Sequence, residues 1–155
     1  MTEPIERTVS APPSRVWELW TTPQGISAWW APEGFRSDVT RLELEPGGTL
    51  TYTMTAVAPA QIAFMEQYGM PLATESHKRF VEIDEPSRLS YVSVIDFVPD
   101  HETYEHLTVV ELRPDGEGTR VVMRIDPLHD EVWTQRLIEG RTNELDNLAA
   151  LVAAG

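Results

Sequence analysis

The feature that most constrains the fold is a long helical segment at the C-terminal end of the chain. Between residues 130 and 153 only Gly140 disfavours a helix. An apolar stripe runs along this segment, formed by Trp133, Leu137, Leu145, Leu148 and Val152. At about 1.5 Å per residue the helix is about 36 Å long. A helix of this length must bury its stripe against another large element.

The part of the chain that precedes this helix is dominated by apolar–polar alternation with a period of two. Such alternation is typical of strands with one face buried. We predict a strand at residues 5–9, two short helices over roughly 13–30, and then a meander of six strands that includes roughly 75–84, 88–98 and 103–113. Residues 58–72 interrupt the alternation and are predicted to be an insertion of one or two helical turns, long enough to act as a lid.

These elements predict an α+β fold in a single domain spanning residues 1–155. Consecutive strands joined by hairpins form an antiparallel sheet. One sheet of about seven strands must bury a face, and the C-terminal helix is the largest element available to cover it. We therefore expect a curved sheet wrapped around one long helix.

The charge and composition of the chain exclude several classes of function. Lys and Arg number 12 against 25 Asp and Glu, which gives a net charge of −13. Nucleic acids and anionic membranes would be repelled by such a surface. There is no Cys, which excludes thiolate metal sites and cysteine nucleophiles. No apolar run reaches the roughly 18 residues of a membrane span, and the N-terminus does not resemble a signal peptide. The expected location is cytoplasmic, and no cofactor is expected.

Several stretches of the sequence carry a resemblance to a known family. They are Val16–Pro23, Trp29–Phe35, Pro46–Leu50, Val81–Leu89 and Gly118–Val121. Together they resemble the signature of the bacterial proteins similar to the activator of heat-shock protein 90 ATPase, within the START/Bet v 1-like (SRPBCC) superfamily. The resemblance covers essentially the whole chain and implies the helix-grip fold.

The resemblance also implies a hydrophobic cavity between the sheet and the last helix. In that superfamily the cavity holds lipids, hormones or polyketides, and a few members catalyse cyclisation or hydrolysis. Two features depart from the family pattern. Gly140-Arg141 stands where relatives commonly carry Gly-Trp, and the 58–72 insertion is longer than the usual hairpin. Ligand preference is therefore not carried over from a relative.

The candidate ligand-binding residues come mainly from the aromatic and Met residues, which suit an adaptable apolar pocket. They are Trp20, Trp30, Tyr52, Met54, Phe64, Tyr68, Phe80, Tyr91, Met123, Trp133, Leu137 and Arg141. Core packing is the alternative for each of the apolar residues. Polar groups that could orient a ligand are Tyr52, Tyr91, His77, His106 and Arg141. The predicted function is binding of a small apolar or aromatic molecule.

Two other functions stay open at this point. A cyclase or hydrolase would need an acid–base residue in the cavity, for which His77, His106 or an inward-facing Asp96 are candidates. The four histidines have no metal-ligand spacing, and no Gly-x-Ser-x-Gly motif is present. The other alternative is protein interaction. The protein could act like a co-chaperone in a stress response, or bind a basic partner through the acidic run Glu82–Glu105. It could also form a homodimer through an open edge of the sheet.

Overall fold

The computed structural model describes residues 1–31, 33–96 and 100–154. Within these ranges the helices are α1 Pro13–Thr21, α2 Pro23–Trp29, α3 Pro59–Gln67 and α4 Glu131–Ala153. The strands are β1 Ile5–Val9, β2 Phe35–Leu42, β3 Thr49–Ala56, β4 Ala73–Asp84, β5 Arg88–Ile95, β6 Tyr104–Asp115 and β7 Gly118–Ile125. Residues 97–98, the end of the strand predicted over 88–98, lie outside the described residues.

The seven strands form one antiparallel sheet in the order β1-β7-β6-β5-β4-β3-β2. Every consecutive pair from β2 to β7 is a direct neighbour, and β1 closes onto β7 with Ile5 opposite Met123. This is the predicted α+β arrangement of a meander joined to its first strand. The helix-grip fold that the resemblance implies is therefore confirmed.

The helix boundaries follow from local chemistry. Pro occupies the first position of α1, α2 and α3, where its missing N–H needs no partner and its fixed φ suits a helix. The carboxylate of Asp130 caps α4 by accepting a hydrogen bond from the Trp133 N–H at 2.8 Å. The 23-residue α4 thus begins within one residue of the predicted start.

The core lies between the concave face of the sheet, α4 and the two short helices. Leu145 and Leu148 on α4 are completely buried, as are Met123 and Ile125 on β7. A line of tryptophans extends this core through α1 and α2, with the Trp20 and Trp29 ring centres 4.8 Å apart and Trp29 stacked on Trp30 at 5.6 Å. The core therefore holds α2 against the edge strand β2 and places Trp30 beside Tyr52 and Tyr91.

Two details differ from the sequence predictions. The alternation of Leu42 and Leu44 predicted a strand, but β2 ends at Leu42 and Leu44 is exposed, because the chain turns there toward the Glu45–Gly48 hairpin. Asp96 was expected within a strand, with an inward orientation as one option. It follows β5 and is exposed, which keeps its carboxylate hydrated rather than buried without a partner.

The acids from Glu82 to Glu105 are all exposed, on strand faces and turns that point to solvent. In the described part of the chain, no helix is both long enough and apolar enough to cross a membrane.

Candidate functional site

A cavity of about 450 Å³ lies between the inner face of β3–β5 and α4. Its buried lining consists of Tyr52, Lys78, Ser93, Ile95 and Arg141, with the half-buried Leu137 of α4 beside them. Exposed residues, among them Thr74, Glu75 and Asp96, line its outer part. The cavity therefore runs from an acidic rim into an interior that contains two cationic side chains.

The first of these cations is Lys78, the single lysine of the chain. Strand alternation in β4 places Lys78 on the same face as Phe80, which is 2% exposed, and Lys78 itself is only 8% exposed. Lys78 lies opposite Ser93 in the sheet, and its Nζ donates a hydrogen bond to the Ser93 Oγ at 2.8 Å. The side chain of Lys78 is therefore largely buried and directed toward the cavity.

Three aromatic rings surround the Lys78 Nζ. The distances from Nζ to the ring centres are 5.3 Å for Tyr91, 5.6 Å for Trp30 and 5.9 Å for Tyr52. These are cation–π distances, and such contacts stabilise a buried ammonium. Trp30 also stacks on Tyr52 at 5.7 Å, so α2 and β3 together position the rings.

Burial shifts the titration of Lys78 strongly. The pKa of Lys78 is lowered to about 7, mainly by burial and to a smaller extent by the Arg141 guanidinium, while the Glu144 carboxylate acts in the opposite direction. At neutral pH the side chain is thus divided between ammonium and free amine.

The second cation is Arg141, which is 5% exposed. It follows Leu137 by four residues and precedes Leu145 by four, so it lies on the buried stripe of α4. Its Nη1 donates to Glu144 at 3.2 and 3.3 Å and its Nη2 donates to the Thr108 Oγ1 at 3.3 Å. Within the described residues its Nε is buried and has no hydrogen-bond partner.

A row of polar side chains crosses the inner face of the sheet beside the cavity. Lys78 lies opposite Ser93, and Ser93 lies opposite His106. The Nε2 of His106 is 2.5 Å from the Asp126 carbonyl oxygen, so Nε2 carries the proton and Nδ1 is the acceptor. In the described part of the chain the buried Nδ1 has no partner. Burial lowers the pKa of His106, which keeps the ring neutral.

The two tyrosines of the site keep their phenolic protons. Burial raises the pKa of Tyr52, and the nearby Glu144 carboxylate adds to this effect. Burial also raises the pKa of Tyr91, against the opposing influence of Arg141. The tyrosines therefore offer neutral hydroxyls and ring faces, and the charges in the site are those of Lys78, Arg141 and Glu144.

The candidate ligand-binding residues fall into three groups in the structure. Tyr52, Leu137 and Arg141 line the cavity, and Trp30 and Tyr91 surround the Lys78 amine beside it. Residues placed in or against the packed core are Trp20, Met54, Phe80 and Met123.

The remaining candidates lie away from the cavity lining. Phe64 and Tyr68, on and just after α3, are 53% and 62% exposed and contact each other at 4.8 Å between ring centres. Trp133 lies beside His129, 6.0 Å between ring centres, near the start of α4.

The polar candidates are divided in the same way. His77 is exposed and lies on the rim of the cavity, where Nδ1 bonds Thr51 and Nε2 contacts Glu75. His106 faces inward and is 1% exposed. Of the three acid–base candidates, His106 is therefore the one that the fold brings beside the buried cations.

Four polar residues of the site were missed by sequence reasoning: Lys78, Ser93, Thr108 and Glu144. For Lys78 a usable signal existed, because it stands two residues before Phe80 in an alternating strand and is the only lysine of the chain. No such signal marks the other three, since Ser, Thr and Glu are ordinary residues of strands and helices.

The fold matches that of known proteins. A crystal structure of a Chromobacterium violaceum protein is 22% identical, covers 96% of this chain and 95% of that one, and has a TM-score of 0.72. The solution structure of an Arthrobacter aurescens protein is 22% identical over 98% of this chain and 86% of that one, with a TM-score of 0.75. An AHSA1 protein from Silicibacter pomeroyi is 18% identical over 97% and 96% of the two chains, with a TM-score of 0.73. No curated protein matches the sequence.

The curved sheet and the long helix that it wraps define a helix-grip protein of the START/Bet v 1-like superfamily. The family model for activator of Hsp90 ATPase homolog 1-like proteins matches residues 10–153. The chain belongs to that family.

Proposed function

We propose that this protein binds a small apolar or aromatic molecule bearing a carboxylate in the cavity between the sheet and α4. The observation that carries the proposal is the pair of buried cations, Lys78 and Arg141, beside a cavity of about 450 Å³. A volume of this size lies within the range of small-molecule sites, about 300–1,000 Å³.

The charge of the site supports an anionic group on the ligand. Lys78 and Arg141 carry two positive charges when Lys78 is protonated, and Glu144 supplies one negative charge. Both cations lie near one ring, with the Lys78 Nζ 5.3 Å and the Arg141 Cζ 6.0 Å from the centre of Tyr91. Buried charges are costly unless paired. A carboxylate between the two would balance the charge and give the Arg141 Nε an acceptor.

Binding of such an anion should be coupled to proton uptake. A bound carboxylate favours the ammonium form of Lys78 and raises its pKa from about 7. Above pH 7 the free protein must therefore gain a proton when the ligand binds. We expect affinity to fall by up to about tenfold per pH unit between pH 7.5 and 9.

The test compares 2-naphthoate with 2-naphthamide, which has the same shape and no charge, by isothermal titration calorimetry. Hydrogen bonds to charged groups contribute about 1.5–3 kcal/mol, so we expect the carboxylate to bind roughly 10- to 100-fold more tightly. The Lys78→Met variant should lose most of this preference and its pH dependence. Arg79→Met, on the outer face of the same strand, should retain both.

Equal affinity for the acid and the amide would overturn the anion preference. Failure of both compounds to bind, together with no thermal shift from longer apolar acids, would overturn the binding proposal itself.

We further propose that the 58–72 insertion closes over the occupied cavity. It joins β3 to β4, whose Thr74 lies on the cavity rim, and α3 has no buried residue. Hydrogen exchange measured with and without 2-naphthoate should show roughly tenfold slower exchange over 59–67 on binding. Unchanged exchange there, with protection at 73–84, would contradict the lid.

Protein interaction and homodimerisation stay predictions. Apolar residues around α3 are exposed, namely Val57, Phe64, Tyr68, Met70 and Leu72. A closing lid would use the same residues, so the ligand-dependent exchange experiment also distinguishes these roles.

A further inference from the structure

The environment of Lys78 suits a chemical role beyond holding an anion. A lysine amine is a nucleophile only when unprotonated, and proteins activate it by removing water or by placing another cation nearby. Both conditions are present here. Lys78 is 8% exposed, three rings surround its Nζ, and Arg141 lies across the ring of Tyr91.

We propose that Lys78 is a nucleophilic amine that forms an imine with an aldehyde or ketone held in the cavity. The inference rests on the proposed function, because the same cavity must admit the carbonyl compound. The substrate class is an apolar or aromatic oxo acid, whose carboxylate would pair with Arg141 while its carbonyl carbon lies against the Lys78 Nζ.

The step is balanced without any oxidant or reductant. The Nζ lone pair attacks the carbonyl carbon, the carbon–oxygen π bond breaks, and one of the two amine protons passes to the oxygen to give a carbinolamine. The hydroxyl then takes up a proton and leaves as water while the nitrogen lone pair forms the carbon–nitrogen double bond. Loss of the second proton from nitrogen replaces the one that the hydroxyl took. Amine plus carbonyl thus becomes imine plus water.

The contacts around Nζ support this geometry. In the free amine one hydrogen is donated to the Ser93 Oγ at 2.8 Å, which orients the nitrogen. The ring faces of Trp30, Tyr52 and Tyr91 exclude bulk water, and this lowers the rate at which an imine would hydrolyse. The cationic Arg141 opposes protonation of the amine.

The sequence makes the experiment unusually clean, because Lys78 and the N-terminal amine of Met1 are the only primary amines. The protein is incubated at pH 7 with 4-formylbenzoate and sodium cyanoborohydride, which reduces an imine to a stable secondary amine. Adducts are counted by intact mass and located by peptide mapping. We expect an adduct on the peptide containing Lys78, in addition to modification of the Met1 amine.

The matched control is the double variant Lys78→Met with Arg79→Lys, which moves the only lysine to the exposed outer face of the same strand. Arg79 is 48% exposed there, with an ion pair to Glu105. We expect the wild-type lysine to react roughly 10- to 100-fold faster, because a larger share is free amine at pH 7. Lys78→Arg, which keeps the charge, should show modification at Met1 alone.

Parallel reactions with benzaldehyde separate this inference from the proposed function. Trapping at Lys78 by both aldehydes at equal rates supports the nucleophilic amine and contradicts the carboxylate site. Binding of 2-naphthoate without trapping by either aldehyde overturns the nucleophilic amine and leaves the proposed function standing. Modification confined to Met1, or a control lysine that reacts as fast as Lys78, also overturns it.

Discussion

Replacing Lys78 with methionine is expected to stabilise the protein at neutral pH by about 3 kcal/mol. The lowered pKa corresponds to a cost of about 4 kcal/mol, and loss of the hydrogen bond to Ser93 offsets about 1 kcal/mol of the gain. Methionine matches lysine in length and has no charge, so the cavity wall keeps its packing while the cost of burying an amine disappears. For a chain of this length the melting temperature should rise by roughly 6–12 °C at pH 7. Thermal unfolding followed by circular dichroism measures the change.

The pH dependence of this effect gives it a distinctive signature. Burial holds the pKa of Lys78 at about 7 in the folded protein, against 10.5 for an ordinary lysine. Between these values the unfolded chain binds a proton that the folded chain does not, so stability rises with pH. The wild-type free energy of unfolding should increase by about 1.4 kcal/mol per pH unit from pH 7.5 to 9. Lys78→Met should lack this slope.

The other titratable groups around Lys78 do not produce the same signature. Burial lowers the pKa of His106, so the contribution of His106 lies below this pH window. Burial raises the pKa values of Tyr52 and Tyr91, and their opposing contribution begins only above about pH 9, where tyrosines of the unfolded chain start to ionise. Arg141 stays charged throughout this pH range. Arg79→Met removes an exposed cation and should retain the slope. Parallel stability curves for wild type and Lys78→Met would show that Lys78 is solvated.

Leu145→Ala is expected to cost about 2–5 kcal/mol in the free energy of unfolding. Leu145 is completely buried on the face of α4 that packs against the sheet, so truncation leaves a cavity at the main contact between the two layers. The melting temperature should fall by roughly 5–15 °C. Urea unfolding gives the free energy directly.

The control for this prediction is on the same helix. Val132→Ala removes two methyl groups from a side chain that is 61% exposed and should change stability by less than about 0.5 kcal/mol. If Leu145→Ala were as mild as Val132→Ala, the grip of the sheet on α4 would not be the principal source of stability.

Much of the fold could be predicted from local patterns. The stripe Leu137–Leu145–Leu148 specifies which face of α4 is buried, and Pro and Gly mark the turns and helix starts. These signals involve residues that are close together in the chain, so they can be recognised in a single sequence. The boundary errors occurred where alternation continued past the last ladder pair, at Leu44 and Asp96, because hydropathy alone cannot tell a strand from an extended loop.

The candidate site was only partly predictable. Arg141, Tyr52 and Leu137 were identified from residue type and helix or strand position. Phe64 and Tyr68 were chosen for their aromatic character, but whether a side chain lines a cavity depends on where the chain carries it, and α3 carries both to the surface. Lys78 was overlooked because a lone lysine in an acidic chain ordinarily lies in solvent.

The sequence by itself determined the architecture. Hydrophobic periodicity specified which faces are buried, and only one predicted helix was large enough to cover the single predicted sheet. Only the tertiary structure decided the character of the cavity. Lys78 and Arg141 are 63 positions apart, and each sits on a face that its own element must bury. Antiparallel pairing of β3, β4 and β5 and the docking of α4 bring both to the ring of Tyr91. The absence of water there changes an ordinary lysine into an amine that titrates near neutral pH.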